Sequence, residues 1–207
     1  MSALDFDAFD RTPLTREPFP FLIVPGFVKA EARAAIHRDY PQIDKPGSFP
    51  TGELTYGPAF RELLAELEGP AMARHFSEKF GMDLETLPTM VTVRGQAREK
   101  DGQIHTDSKT KVITVLIYMN AGWEAPSGRL RLLRSSESLD DMIAEVPPDE
   151  GTLLAFKVTE NSWHGHKPFV GQRRAIQLNW VTGEDVVKRE QRRHALSARI
   201  KKLWPFG

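Results

Sequence analysis

Upstream of residue 87 the apolar positions recur at helical intervals. Downstream they gather into short β-branched runs divided by Gly, Asp, Asn and Pro. Phe60, Leu63, Leu64 and Leu67 fall on one helical stripe, which Gly69-Pro70 ends. A second helix is expected over residues 71–80 with Gly81 as its stop, and a surface helix over residues 30–40 closed by Pro41. Phe21-Leu22-Ile23-Val24 is a short apolar run, and residues 41–57, rich in Pro and Gly, read as loop. Strands are expected at residues 90–93, 111–119, 130–133, 152–156 and 175–181, a spacing that points to a sandwich or barrel with helices covering one face. Thr182 then caps a helix over residues 184–203 whose many Arg and Lys residues read as a solvated face. The expected organisation is one α+β domain over residues 1–207. It has a helical part over about 1–86, a mainly β core over about 87–182 and the C-terminal helix.

Composition changes the chemistry more than the fold. A chain of 207 residues, 40% hydrophobic, suits one substantial core. Its 28 basic residues balance 28 acidic ones, so no global field draws in nucleic acid or an anionic membrane, and neither is expected as a partner. The absence of cysteine excludes disulfides, thiolate zinc sites, iron–sulfur clusters and a cysteine nucleophile. Any metal would be held by His, Asp or Glu. The first residues are acidic where a signal peptide is basic, and no run approaches the roughly 20 apolar residues of a membrane span. A cytoplasmic protein is the expectation.

Six histidines can then be sorted by position. His37, His75 and His194 lie on expected helices among charged residues and read as surface. His105-Thr106-Asp107 is expected at the head of a strand, where residues i and i+2 project to the same face and both can reach one metal. A third ligand is needed. His164 and His166 are the candidates, in Ser162-Trp163-His164-Gly165-His166, which follows Leu153-Leu154-Ala155-Phe156. Two histidines and a carboxylate on barrel strands make a facial triad that suits Fe(II), and zinc fits the same ligands. Gly171-Gln172-Arg173-Arg174 opens the last strand, and a guanidinium there suits a dicarboxylate through bidentate hydrogen bonds. Alternation from Arg173 assigns Arg173, Ala175, Gln177 and Asn179 to an inner face and Ile176, Leu178 and Trp180 to an apolar outer one.

Over roughly residues 90–181 these motifs resemble the prolyl-hydroxylase branch of the 2-oxoglutarate and Fe(II)-dependent oxygenases, which includes the oxygen-sensing prolyl hydroxylases. The resemblance runs through His105-Thr106-Asp107, Tyr118-Met119-Asn120, Gly122-Trp123-Glu124, Ser127-Gly128-Arg129-Leu130, Trp163-His164, Pro168, Arg173 and Ala175-Ile176. It implies a double-stranded β-helix of the jelly-roll, cupin-like type, with supporting N-terminal helices and a C-terminal helix. It also implies His105, Asp107 and His164 as iron ligands, with Pro168 at +4 and Arg173 at +9 from His164 as in the family. Arg173 would hold the distal carboxylate of 2-oxoglutarate, Tyr118 would donate a hydrogen bond to it, and Arg174 is the fallback. His166 is then a neighbour of the metal ligands.

The implied activity is hydroxylation of a C–H bond using O2, with 2-oxoglutarate converted to succinate and CO2 and ascorbate as a candidate reductant. Two departures bear on the substrate. The tyrosine that such enzymes often carry about ten residues before the first histidine is replaced near Gly95, leaving Arg94 and Gln103 as candidates for the inner carboxylate. Ser127-Gly128 stands where two glycines are usual. The substrate, a protein side chain or a small molecule, is open, and loops 41–57, 95–102 and 135–150 are expected to border the site. The rival readings are an inactive jelly-roll binding module and a cupin-like metal enzyme that does not use 2-oxoglutarate.

Overall fold

The computed structural model of the chain describes residues 2–189. Helix α1 (Phe6–Arg11) opens on Asp5, whose side chain accepts the Ala8 N–H at 2.8 Å. Strand β1 (Phe21–Val24) and helix α2 (Ala30–Asp39) follow, then the short strand β2 (Phe49–Pro50). Helices α3 (Pro58–Leu67) and α4 (Pro70–Phe80) each begin with proline after a glycine, where the missing N–H costs nothing. The carboxylate of Asp39, at the end of α2, accepts the Ala59 N–H at 2.7 Å and so caps the helix two elements along. Gly81 ends α4 in the left-handed region at φ 64°, as its position predicts.

Strands β3 (Thr89–Ala97), β4 (Lys111–Tyr118), β5 (Leu130–Leu133), β6 (Met142–Val146), β7 (Leu153–Lys157), β8 (His164–Gly165) and β9 (Gly171–Val181) complete the order. With β1 and β2 they form a six-stranded sheet, β1-β7-β4-β9-β3-β2, and a three-stranded sheet, β6-β5-β8, with every strand pair antiparallel.

Alternation along the central strands assigns the two faces of the large sheet. Val91, Val93, Ile113, Val115, Ile117, Ile176, Leu178 and Trp180 turn to one face. They bury a common core with Phe60, Leu63 and Leu67 of α3 and Met72 and Phe76 of α4. Trp180 packs on Phe76 with ring centroids 5.0 Å apart. A second, smaller core joins Phe21, Tyr118, Leu154, Phe156 and Ala175 of the large sheet to Leu130, Leu132 and Val146 of the small one. The inner faces of the two sheets therefore meet.

The structure adds detail to three expectations. In the N-terminal part the apolar run at residues 21–24 forms β1 at the edge of the sheet beside β7, among the helices. A strand, β6, runs through the expected loop 135–150, pairing with β5 across Leu130↔Val146. The C-terminal helix starts as expected, residues 184–189 being helical, and its continuation to residue 203 lies outside the described residues, as does His194. Among the described residues no helix is long and apolar enough to cross a membrane.

Candidate metal centre and its pocket

His105 is not at the head of a strand: β4 begins at Lys111, and residue 105 lies in the segment before it. What fixes it is an isolated antiparallel bridge to His164. The two residues exchange both backbone hydrogen bonds, each N–H to the other's carbonyl at 3.0 Å. Such a pair sets the two side chains directly opposite each other, and the imidazole centroids lie 4.3 Å apart. With Asp107 they form a cluster in which one ligand atom from each residue lies within 4.8 Å of the others.

The hydrogen bonds behind the cluster select its free atoms. His105 Nδ1 lies 2.8 Å from the Gln103 carbonyl and His164 Nδ1 3.0 Å from that of Ser162. A carbonyl only accepts, so both Nδ1 atoms carry the proton and both Nε2 atoms present a lone pair. The Asp107 carboxylate accepts from Lys111 Nζ at 2.8 Å on one oxygen and from Thr114 Oγ1 at 2.5 Å on the other. Asn179 Nδ2 in turn donates to Thr114 Oγ1 at 2.8 Å. Burial opposes ionisation of Asp107, but Lys111, His164 and these hydrogen bonds outweigh it and hold the carboxyl below its ordinary range. Burial lowers His164 to about 4 against the pull of Asp107, so the imidazole is neutral near pH 7. An anionic carboxylate with the Nε2 atoms of His105 and His164 turned toward it is a donor set that suits a divalent metal.

The cluster opens into a cavity of about 480 Å³ whose wall includes Arg94, Leu116, Leu130, Arg173, Ala175 and Gln177. Arg173 is buried, at 6% exposure. Its Nε donates to the Gly128 carbonyl at 2.8 Å and its Nη2 to Tyr118 Oη at 3.4 Å, while the guanidinium stands 5.3 Å from the Tyr118 ring centroid. Burial raises the Tyr118 pKa more than Arg173 lowers it, so the hydroxyl stays protonated. Gly128, at φ 79°, has no room for a side chain: a Cβ would come 2.8 Å from Trp123.

His166 lies outside the metal cluster, yet it is buried and lines the same cavity. Its Nδ1 is 2.9 Å from the Lys167 carbonyl, its backbone N–H bonds to Gly102, and its ring packs against that glycine. Burial and the neighbouring Arg173 lower it to about 4. Arg174 faces elsewhere, its guanidinium over the Tyr40 ring and 3.3 Å from His37 Nδ1. His37 and His75 are half-buried, and each pairs with a carboxylate distant in sequence, Glu150 at 2.6 Å and Asp10 at 2.9 Å.

The expected border loops contribute unequally. Ser48 comes from 41–57, Lys100, Asp101 and Gly102 from 95–102, and no described lining residue from 135–150. Sequence reasoning missed Lys111, Thr114 and Ser48. Alternation in β4 places Thr114 opposite in facing to Ile113 and Val115, and that signal could have found it. Ser48 meets Arg94 across 46 positions with no local signature.

Residues 93–182 match the family model described as the 2OG-Fe(II) oxygenase superfamily. Solved structures with the same architecture include a Pseudomonas putida prolyl-4-hydroxylase, 17% identical with a TM-score of 0.56 over 85% of this chain and 90% of that one. A second is a prolyl hydroxylase from Trichoplax adhaerens in complex with a hypoxia inducible factor oxygen degradation domain peptide fragment, 17% identical, TM-score 0.51, covering 86% of each chain. A third is an oxidoreductase of the 2OG-Fe(II) oxygenase family from Burkholderia pseudomallei, 11% identical, TM-score 0.54, covering 78% of this chain and 84% of that one. Likeness at these identities shows the fold, a double-stranded β-helix. No curated protein matches the sequence significantly.

Proposed function

We propose, on the premise that residues 93–182 match the 2OG-Fe(II) oxygenase superfamily, that this chain is an Fe(II)- and 2-oxoglutarate-dependent hydroxylase. The observation that carries the reading is the His105, Asp107 and His164 cluster in the wall of a cavity that Arg173 also lines, with Tyr118 buried behind Arg173 and accepting from its Nη2. A family match alone leaves the chemistry open, because folds host many functions. A metal-ligand set and a candidate dicarboxylate anchor in one pocket support this chemistry over the others.

His105 and His164 would hold the metal through Nε2 and Asp107 through a carboxylate oxygen. Iron bound there with 2-oxoglutarate and O2 supplies the oxidation, releasing succinate and CO2 as a substrate C–H bond is hydroxylated. The protein's own residues position and protect. Lys111 and Thr114 hold the Asp107 carboxylate in one orientation, which spares the metal that work. The Gly128 carbonyl fixes Arg173 Nε, which leaves the remaining guanidinium N–H groups to grip the distal carboxylate. Tyr118 stays neutral and donates its hydroxyl proton to the same carboxylate. Leu116 and Leu130 supply apolar wall and limit water near the reacting centre.

The test is succinate formation from 2-oxoglutarate by the purified protein with Fe(II) and ascorbate under air. Turnover in wild type, lost in His105→Ala and reduced at least tenfold in kcat/KM for 2-oxoglutarate in Arg173→Gln, supports the proposal. A wild-type protein that binds neither iron nor 2-oxoglutarate overturns it, and the binding-module reading then stands.

A further inference from the structure

Arg94 lines the same pocket as Arg173, and the sequence offered it as a candidate for the inner carboxylate of 2-oxoglutarate. It sits on the inner face of β3, paired across the sheet with Ala175, while Tyr118 of β4 pairs with the same Ala175 from the other side. Arg94 therefore stands on the opposite flank of β9 from Tyr118 and from Thr114, which serves Asp107. Its surroundings hold it there. The Tyr40 hydroxyl donates to the Arg94 carbonyl at 2.9 Å, and Arg94 Nε donates to Ser48 Oγ at 2.8 Å. With Nε engaged, the two terminal nitrogens form a fork that the pocket can reach.

No carboxylate of the described residues lies within ion-pair distance of that fork. Asp101 is committed to Arg98 at 3.1 Å and Asp107 to Lys111 at 2.8 Å. The described lining holds four cations, Arg94, Lys100, Lys111 and Arg173, and these are its two acids. A bound divalent metal would deepen the imbalance. Burial and the charge of Arg173 press against the Arg94 cation and outweigh the support of the more distant Asp101 and Asp107, so a guanidinium with no carboxylate in contact is costly here unless an anion joins it. Under the hydroxylase reading the metal would take the inner end of 2-oxoglutarate and Arg173 with Tyr118 the distal end, so the co-substrate need not claim Arg94, and the experiment below separates the two roles. Arg94 stands beside Ser48 and the exposed Lys100, on the side where loops contribute the wall.

We infer that Arg94 is a specificity-determining residue that binds an oxyanion, carboxylate or phosphate, carried by the substrate itself. The substrate is then an acidic molecule or an acidic side chain, and an uncharged prolyl segment leaves the Arg94 fork unmatched. This rests on the hydroxylase reading for its account of Arg173 and Tyr118.

The experiment uses protein loaded with Zn(II) and 2-oxoglutarate, which does not turn over. Acetate, methyl phosphate and acetamide are titrated while the Arg94 Nε–H resonance is followed, assigned by its loss in Arg94→Gln. Acetate or methyl phosphate should shift that resonance saturably and acetamide should not, and whichever of the two binds more tightly identifies the substrate group. Affinity for 2-oxoglutarate should change less than about threefold in Arg94→Gln and Arg94→Lys but fall at least about tenfold in Arg173→Gln, the loss expected for one charge-assisted contact. Arg94 belongs to the co-substrate, and the inference fails, if Arg94→Gln and Arg94→Lys lose 2-oxoglutarate as severely as Arg173→Gln. It fails equally if neither anion moves the resonance. Protein that loads neither zinc nor 2-oxoglutarate sinks the hydroxylase reading instead, and the same titration of metal-free protein still shows whether Arg94 takes an anion.

Discussion

Thr114 links the sheet to the metal cluster through one hydroxyl, which donates to Asp107 and accepts from Asn179. Thr114→Val keeps the shape and removes both bonds. We expect metal affinity to fall about 10- to 100-fold, as for other residues that orient a ligand from behind, with stability reduced by about 1–2 kcal/mol. A Mn(II) titration followed by a urea melt separates the two effects, and unchanged affinity would show that Lys111 alone orients the carboxylate. His164 and His166 carry a second prediction. Burial lowers each from its ordinary 6.5 to about 4, so between those pH values the unfolded chain binds protons that the fold refuses. Stability of the metal-free protein is therefore full above about pH 6.5 and falls as pH drops toward 4, by on the order of 3 kcal/mol per histidine at most. Urea midpoints at pH 7 and pH 5 should differ accordingly, and His166→Asn should flatten the slope. Equal midpoints for wild type would contradict the burial argument.

At the level of elements, β9 does two jobs with one alternation. Ile176, Leu178 and Trp180 pack under the helices, while Arg173, Ala175, Gln177 and Asn179 line the cavity. The strand is legible in sequence because both faces obey a period of two. Trp180→Ala should cost about 3–5 kcal/mol, since it empties the contact with Phe76 at the centre of the larger core. Chemical denaturation measures this, and a cost under 1 kcal/mol would mean that α4 collapses into the space. Where neighbours in sequence carry no periodic signal, prediction stopped. The two-residue strands β2 and β8 are too short to show a period, and β6 is a five-residue run set among polar residues that pairs with β5.

For the whole molecule, the site is a junction of distant segments, so whatever occupies it ties β8, β9 and the segment before β4 together. Ligands that bind only the folded state stabilise it by mass action, about 2.7 kcal/mol at a hundredfold excess over Kd. Mn(II) with 2-oxoglutarate should therefore raise Tm by roughly 5–10 °C for a chain of this size. A chelator should reverse the shift, and Arg173→Gln should keep the part due to metal while losing the part due to 2-oxoglutarate. A Tm unmoved by either ligand would remove the support that the site's geometry lends to the proposed function.

By itself the sequence determined the kinds of elements, the faces of the long strands and the chemical inventory from which a metal site could be built. Helical and strand periods are written by residues two to four apart, and the lack of cysteine is a matter of counting. Only the tertiary structure decided which side chains meet. The bridge between His105 and His164, the hydroxyl of Thr114 on Asp107 and the contact of Ser48 with Arg94 are made by chain closure and strand pairing over long separations. The same closure separated Arg173 from Arg174, adjacent in sequence, because consecutive side chains of a strand point to opposite faces and one face alone borders the cavity.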